Sequence, residues 1–282
     1  MPYSFSLVIS ASYNCSKLIL LLANRLKRPV KKPHIFLINL DNCSQRLETS
    51  SIQFEQFSLD FERISAVHGA EVSDVVLSKS YSKEKNAKQY YRPLTSGEVG
   101  CYLSHLKVLE EIVSRALPYA FIFEDDFELV TDLRPIDKAI SQLTFSWDMI
   151  KLFQSQSNKR TAIAQCKVTE SLSLTIANKV PAGTVAQIVS LQGARKILAH
   201  ARPFGRPIDI DYQHFWEMEL SILLATPCPV THADIFPSTI GRVKGSENGF
   251  SYFWRKQRLQ INKYVQNQFH RRAMLNQYRP YF

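Results

Sequence analysis

Three consecutive carboxylates, Glu124, Asp125 and Asp126, close the run Tyr119-Ala120-Phe121-Ile122-Phe123 and lead into Phe127 and Glu128. Like charges a few ångströms apart raise one another's pKa, so acids crowded in this way call for a compensating cation. A divalent ion supplies it, and oxygen ligands suit Mn²⁺ or Mg²⁺. The five residues before the acids have the unbroken hydrophobicity of a strand buried on both faces of a parallel sheet. Ligands of open α/β sheets gather outside the carboxyl ends of the strands, which is where these acids fall. A solvated acidic turn between strand and helix is the alternative.

The elements around this segment alternate. His34 to Leu40 reads as a buried strand, with Asn42 or Ser44 capping a helix from about Gln45 to Phe57. Phe61 to Val67 reads as a second strand, and the lysine-rich stretch 78–92 as a mobile loop. Thr95 and Glu98 form a capping box that opens a helix through about Arg115. After the acids come a helix from Pro135 to Leu143, a strand from Trp147 to Phe153 and a hairpin over 162–176. Next are a strand from Thr184 to Leu191 and helices from Gly193 to His200 and from Asp211 to Leu224, before a last strand from Ala225 to Thr231. This order predicts an α/β domain over 33–245 with a mostly parallel central sheet.

Composition narrows the function class. The chain has 282 residues, 45% of them hydrophobic and 11% aromatic, enough to bury a sizeable core. Its net charge of +10 sits at the ends: no acid precedes Asp41 and none follows Glu247. Basic ends attract polyanions, either nucleic acid or an anionic membrane surface. A nucleic-acid-binding protein is the competing class, but no RNA or DNA module is recognisable and unneutralised acids would repel phosphate. Cys15, Cys43, Cys101, Cys166 and Cys228 are scattered and form no CxxC pair, which points to a reducing cytosol. Leu18 to Leu26 is too short to span a bilayer and is a poor signal sequence, so residues 1–32 read as a basic extension lying on a membrane. Residues 246–282 read as a basic amphipathic helical segment with interfacial aromatics, apt for the same surface, although its apolar face could equally pack on the core. GxxxxGK[ST], a GxGxxG after the first strand and GxSxG are all absent, which disfavours P-loop NTPases, dinucleotide-dependent oxidoreductases and α/β-hydrolases.

Six blocks in order carry a resemblance. They are Ile35 to Asp41 with Arg46; Phe61-Glu62-Arg63 through Ala66-Val67-His68-Gly69; and Arg92-Pro93-Leu94-Thr95-Ser96-Gly97-Glu98-Val99-Gly100-Cys101 with Ser104-His105. Then follow Phe123 to Asp126, Gly183 to Ser190 with Gly193-Ala194, and Pro207-Ile208-Asp209-Ile210-Asp211. From about His34 to Ile240 the chain resembles glycosyltransferase family 25, the lipopolysaccharide and lipooligosaccharide glycosyltransferases related to collagen galactosyltransferases. Gln45, His68 and Gln187 depart from the family pattern at positions that usually hold an acid, an aspartate and an aromatic residue.

The resemblance implies a GT-A-like fold, a UDP-sugar donor, most often UDP-galactose, and inversion at the anomeric carbon. The acceptor would be a lipopolysaccharide or lipooligosaccharide, met on the inner face of the bacterial cytoplasmic membrane. Asp126, with Asp125 or Glu124, would hold the metal, and His232 would complete its shell or else be structural. Asn39, Arg46 and Gly69 would face the donor; for Arg46, surface solvation is the alternative. His105 would hydrogen-bond the metal loop or touch the donor itself. Inversion by single displacement needs a general base, for which Asp209 and Asp211 are candidates, with helix capping as their other reading. A relative that has lost catalysis and serves as a scaffold is a further possibility, disfavoured by the intact acidic triplet.

Overall fold

The computed structural model describes residues 33–233 and 250–282. The basic extension 1–32 and the segment 234–249 lie outside the described residues. Ten strands are described: β1 (Ile35–Asn39), β2 (Glu62–Ser65), β3 (Tyr119–Glu124), β4 (Phe127–Leu129), β5 (Met149–Lys151), β6 (Ala162–Lys167), β7 (Ser173–Ala177), β8 (Ala186–Ser190), β9 (Ile222–Thr226) and β10 (Val230–His232). The helices are α1 (Ser44–Gln56), α2 (Asp74–Ser80), α3 (Lys83–Gln89), α4 (Ser96–Ser114), α5 (Arg134–Ile140), α6 (Leu191–His200), α7 (Ile208–Tyr212) and α8 (Phe250–Tyr278).

Eight strands form one sheet in the order β2-β1-β3-β8-β5-β9-β7-β6, while β4 and β10 pair separately. β1 runs parallel to β2 and β3, and β5 to β9. β8 opposes β3 and β5, and β7 opposes β9 and β6, so six of the eight strands share one direction. The largely parallel sheet expected from the alternating pattern is therefore present, with helices on both faces.

Pleating assigns the core. Ile35, Leu37, Phe121 and Phe123 face one side, where they meet Phe54 of α1, Ile136 of α5 and Tyr278 of α8. Phe36, Ile38, Ala120 and Ile122 face the other, against Leu106 and Leu109 of α4, Ile197 of α6 and Tyr212 of α7. Strands buried on both faces need continuous apolar sequence, which is why these segments lack the alternation of a half-exposed strand.

Several segments differ from their sequence reading: the strand expected from Ala225 to Thr231 is divided between the end of β9 and β10, which lie in different sheets, and α1 begins after Cys43 with no side-chain cap. The polar stretch 78–92 is largely helical, forming the end of α2 and all of α3, and Ser73 and Ser82 cap these helices by accepting from Val76 N and Lys85 N. The helix expected from Asp211 to Leu224 stops at Tyr212; after a short turn over Phe215–Glu217 the chain enters β9. The apolar run Ile222-Leu223-Leu224-Ala225 suits either state, and the open slot between β5 and β7 makes it a strand.

Candidate active site

β1, β2 and β3 are parallel, so Asn39, Ser65 and Glu124 end on one edge of the sheet. β8 runs the other way, which brings the residues before it, Gly183 to Val185, to the same edge. Glu124 N donates to Val185 O at 2.9 Å. The β4–β10 pair completes the edge: His232 pairs with Phe127, and Ala233 N donates to Asp126 O at 2.8 Å.

The three acids are held in three different ways. Asp125 is clamped: Arg46 Nη1 donates to Oδ1 at 2.6 Å and Asn39 Nδ2 to Oδ2 at 2.7 Å. Asn39 is fixed in turn, because Arg63 Nε donates to its Oδ1 at 3.0 Å. Arg46 is buried, which rules out surface solvation as its role. Glu124 gathers donors: His105 Nε2 lies 2.8 Å and Thr184 Oγ1 2.5 Å from its Oε1, with Cys101 Sγ at 3.6 Å. Burial alone would push the Glu124 carboxyl up, but these hydrogen bonds and the imidazole hold it below its ordinary value.

Asp126 is the acid left for a ligand. Its Oδ2 lies 3.2 Å from His232 Nε2, while its Oδ1 is buried without a hydrogen-bond partner. A buried anionic oxygen without a donor is costly and calls for an occupant. Asp126 and His232 thus offer an oxygen–nitrogen donor pair for a divalent ion, and the imidazole makes the pair a better fit to Mn²⁺ than to Mg²⁺, a harder ion that takes oxygen ligands. Asp125, expected among the ligands, accepts from Arg46 and Asn39 through its two oxygens, and these bonds brace the loop.

Cys101, His105 and Glu124 also bring potential ligand atoms within 4.8 Å of one another. His105 Nδ1, however, is buried and unpartnered. A metal on Nε2 would force the proton onto Nδ1, leaving a buried donor with no acceptor, so the geometry favours an Nε2–H donated to Glu124.

Two cavities meet at these acids and share Cys101, Glu124 and Asp126 in their linings. The first, about 490 Å³, lies over β1 and is bordered by Asn39, Arg46, His68, Gly69, Ser96 and Gly97. Ser96 and Gly97 are the first turn of the 19-residue helix α4, whose capping box is complete and whose Glu98 is gripped by both Arg92 guanidinium arms. Free N–H groups and the positive end of the helix dipole there favour an anion. Gly69 lets this wall close: a Cβ on it would sit 1.7 Å from Ser96 O. Its contribution is close backbone packing beside the cavity.

The second cavity, about 720 Å³, is bordered by Phe153, Gln154, Gly183, Thr184, Asp209 and His232. The hydrogen bond described to the Asp209 carboxylate comes from the backbone: Gly183 N donates to its Oδ2 at 3.2 Å. Burial pushes its carboxyl above the ordinary aspartate value. Asp211 is different. It is buried, and Tyr102 Oη and Arg206 Nε donate to its two oxygens at 2.6 and 2.5 Å, so it ties α7 to α4 and lines neither cavity.

Lys151 joins the site without a sequence motif to mark it. It is wholly buried at the end of β5, where its Nζ donates to Gly183 O at 2.5 Å and to Gln187 Oε1 at 3.1 Å. Burial lowers its pKa to about 8. Gly183 therefore links two ionisable groups, its carbonyl to Lys151 and its N–H to Asp209, from a backbone at φ +83° that favours glycine. A lysine between Ile150 and Leu152 in an otherwise apolar strand was the available signal.

The model of glycosyltransferase family 25 (LPS biosynthesis protein) matches residues 32–212. A bovine protein named probable inactive glycosyltransferase 25 family member 3 is 29% identical over 228 residues, covering 71% of this chain and 38% of the bovine one. Procollagen galactosyltransferase 1-B of Xenopus laevis is 29% identical over 190 residues, covering 63% of this chain and 30% of its own. Human procollagen galactosyltransferase 2 is 29% identical over 193 residues, covering 63% and 29%. The chain thus spans well under half the length of these curated relatives. It belongs to glycosyltransferase family 25.

Proposed function

We propose that the chain is an active, metal-dependent inverting hexosyltransferase that moves galactose from UDP-galactose to a lipopolysaccharide or lipooligosaccharide acceptor. The observation that carries this reading is the position of Asp126, whose buried, unpartnered oxygen stands where the two cavities meet. The cavity over β1 offers the α4 N-terminus and the braced Asn39–Asp125–Arg46 cluster to a nucleotide diphosphate. The cavity beside Asp209 has room for an acceptor sugar.

Asp209 serves as the general base. It takes the proton of the acceptor hydroxyl as that oxygen bonds to the anomeric carbon and the bond from that carbon to the UDP oxygen breaks. Its pKa, raised by burial, increases its basicity as a proton acceptor. A divalent cation held by Asp126 and His232 would supply Lewis-acid stabilisation of the departing diphosphate. Glu124, fixed by His105 and Thr184, keeps the loop in place. The galactosyl assignment draws on the two procollagen galactosyltransferases named above, and the acceptor class on the family description.

A second reading, a catalytically silent scaffold, is prompted by the relative named probable inactive. A screen of UDP-galactose, UDP-glucose and UDP-N-acetylglucosamine with Mn²⁺, following UDP release, separates the two. Release with one donor that is lost in Asp126→Asn supports the enzyme. No release with any of them, or equal turnover by the variant, overturns it.

A further inference from the structure

Helix α8 has the reverse of the usual arrangement for a surface helix. Polar side chains turn toward the protein: Arg255 donates to the carbonyls of Asn86, Ala87 and Tyr90 around the end of α3. Lys263 Nζ donates to Gln213 Oε1 at 2.9 Å, and Asn267 Nδ2 and Arg271 Nη1 converge on Asn178 O at 2.8 and 3.0 Å. Buried apolar side chains come only near its end, at Met274 and Tyr278. Apolar side chains turn outward: Ile261, Tyr264, Val265 and Phe269 are 64, 65, 55 and 69% exposed.

Their spacing of three and four residues sets them on one stripe, and Arg258 and Arg272 extend that stripe at either end, both exposed. Helices of globular proteins put such a stripe on the core. Single exposed apolar residues need no explanation, but a contiguous row on one helix marks an interaction surface. From residue 250 to 282 the chain contains no acid.

We propose that the outward face of α8 seats in the headgroup region of an anionic phospholipid bilayer. Aromatic and branched side chains enter the acyl boundary while Arg258 and Arg272 meet lipid phosphates. The helix lies on the bilayer, since among the described residues no helix is long and apolar enough to cross one. Charge selects this occupant over a second copy of the chain: pairing two such faces would set arginines together with no carboxylate on either helix to offset them. The inference goes beyond the transferase reading and does not depend on it.

The test is co-sedimentation of the full chain with phosphatidylcholine vesicles and with vesicles containing one third phosphatidylglycerol. Anionic vesicles should retain the protein in a salt-sensitive manner, and the triple variant Ile261→Glu, Val265→Glu, Phe269→Glu should reduce retention at least tenfold. These side chains are exposed, so circular dichroism should match wild type; should it not, Arg258→Gln with Arg272→Gln gives a milder test and is expected to weaken retention severalfold. No retention of wild type, or retention undiminished in a folded variant, overturns the proposal. Self-association abolished by the same substitutions, without vesicle binding, assigns the face to a second copy and overturns it equally.

Discussion

The two sides of β3 are built on opposite principles. On the β1 side, both Asp125 oxygens have donors, and Asn39 is held by Arg63 while it holds Asp125. On the β8 and β5 side, Asp126 keeps an unpartnered buried oxygen, Asp209 accepts from a backbone N–H, and Lys151 sits buried with a depressed pKa. The first side is fixed before any ligand arrives. The second leaves one buried carboxylate oxygen, Oδ1 of Asp126, without a partner and holds Asp209 and Lys151 largely by the backbone of Gly183. Preorganised scaffolding beside under-satisfied groups is what separates a brace from reacting machinery.

Substitutions on each side should therefore fail differently. Asp209→Asn is expected to lower turnover by about 10²–10⁴-fold with little change in Tm. Wild-type kcat/KM should rise with pH through an acidic limb displaced upward from ordinary aspartate, because the base must be ionised; the variant should lose that limb. An unchanged limb would transfer the role to another group. On the braced side, Arg46→Met strips the cation from a carboxylate whose side chain is only 11% exposed. Chemical denaturation should reveal a loss of about 3–5 kcal/mol, and a loss below about 1 kcal/mol would show that Asp125 is not dependent on it.

Lys151 sharpens the contrast through pH. Its folded pKa of about 8 lies below the 10.5 of an unperturbed lysine, so the unfolded chain binds the proton more tightly. Wild-type stability relative to Lys151→Met should rise with pH through that window, by roughly 2–4 kcal/mol. A flat difference between the two proteins would show that the ammonium is not desolvated. Gly183→Ala is the mildest change. Its positive φ and a Cβ 3.1 Å from the Phe153 ring predict a loss of about 1–2 kcal/mol in thermal unfolding.

Local signals carried much of this molecule. The apolar run ending in acids gave β3, and the Thr95–Glu98 capping box gave the start of α4. Ser73 and Ser82 cap their helices without a glutamate to complete a box, and the lysine and tyrosine content of 78–92 reads as a loop. Short polar helices stabilised by caps leave little periodicity to detect. Site geometry was harder, because partners lie far apart in the chain: Arg46 and Asp125 are 79 residues apart, Tyr102 and Asp211 109. Asp209 and Asp211 are indistinguishable by type and position at a helix start. Only tertiary packing gives one to a cavity and the other to Arg206 and Tyr102.

Calorimetric titration of UDP, with and without Mn²⁺, into wild type and Asp126→Asn bears most directly on the acids at the end of β3. Mn²⁺ should tighten UDP binding at least tenfold in wild type, and that gain should vanish in the variant while its Tm stays unchanged. UDP affinity indifferent to Mn²⁺ and Mg²⁺, or a gain that survives in Asp126→Asn, would contradict the assignment of Asp126 to a cation beneath the diphosphate.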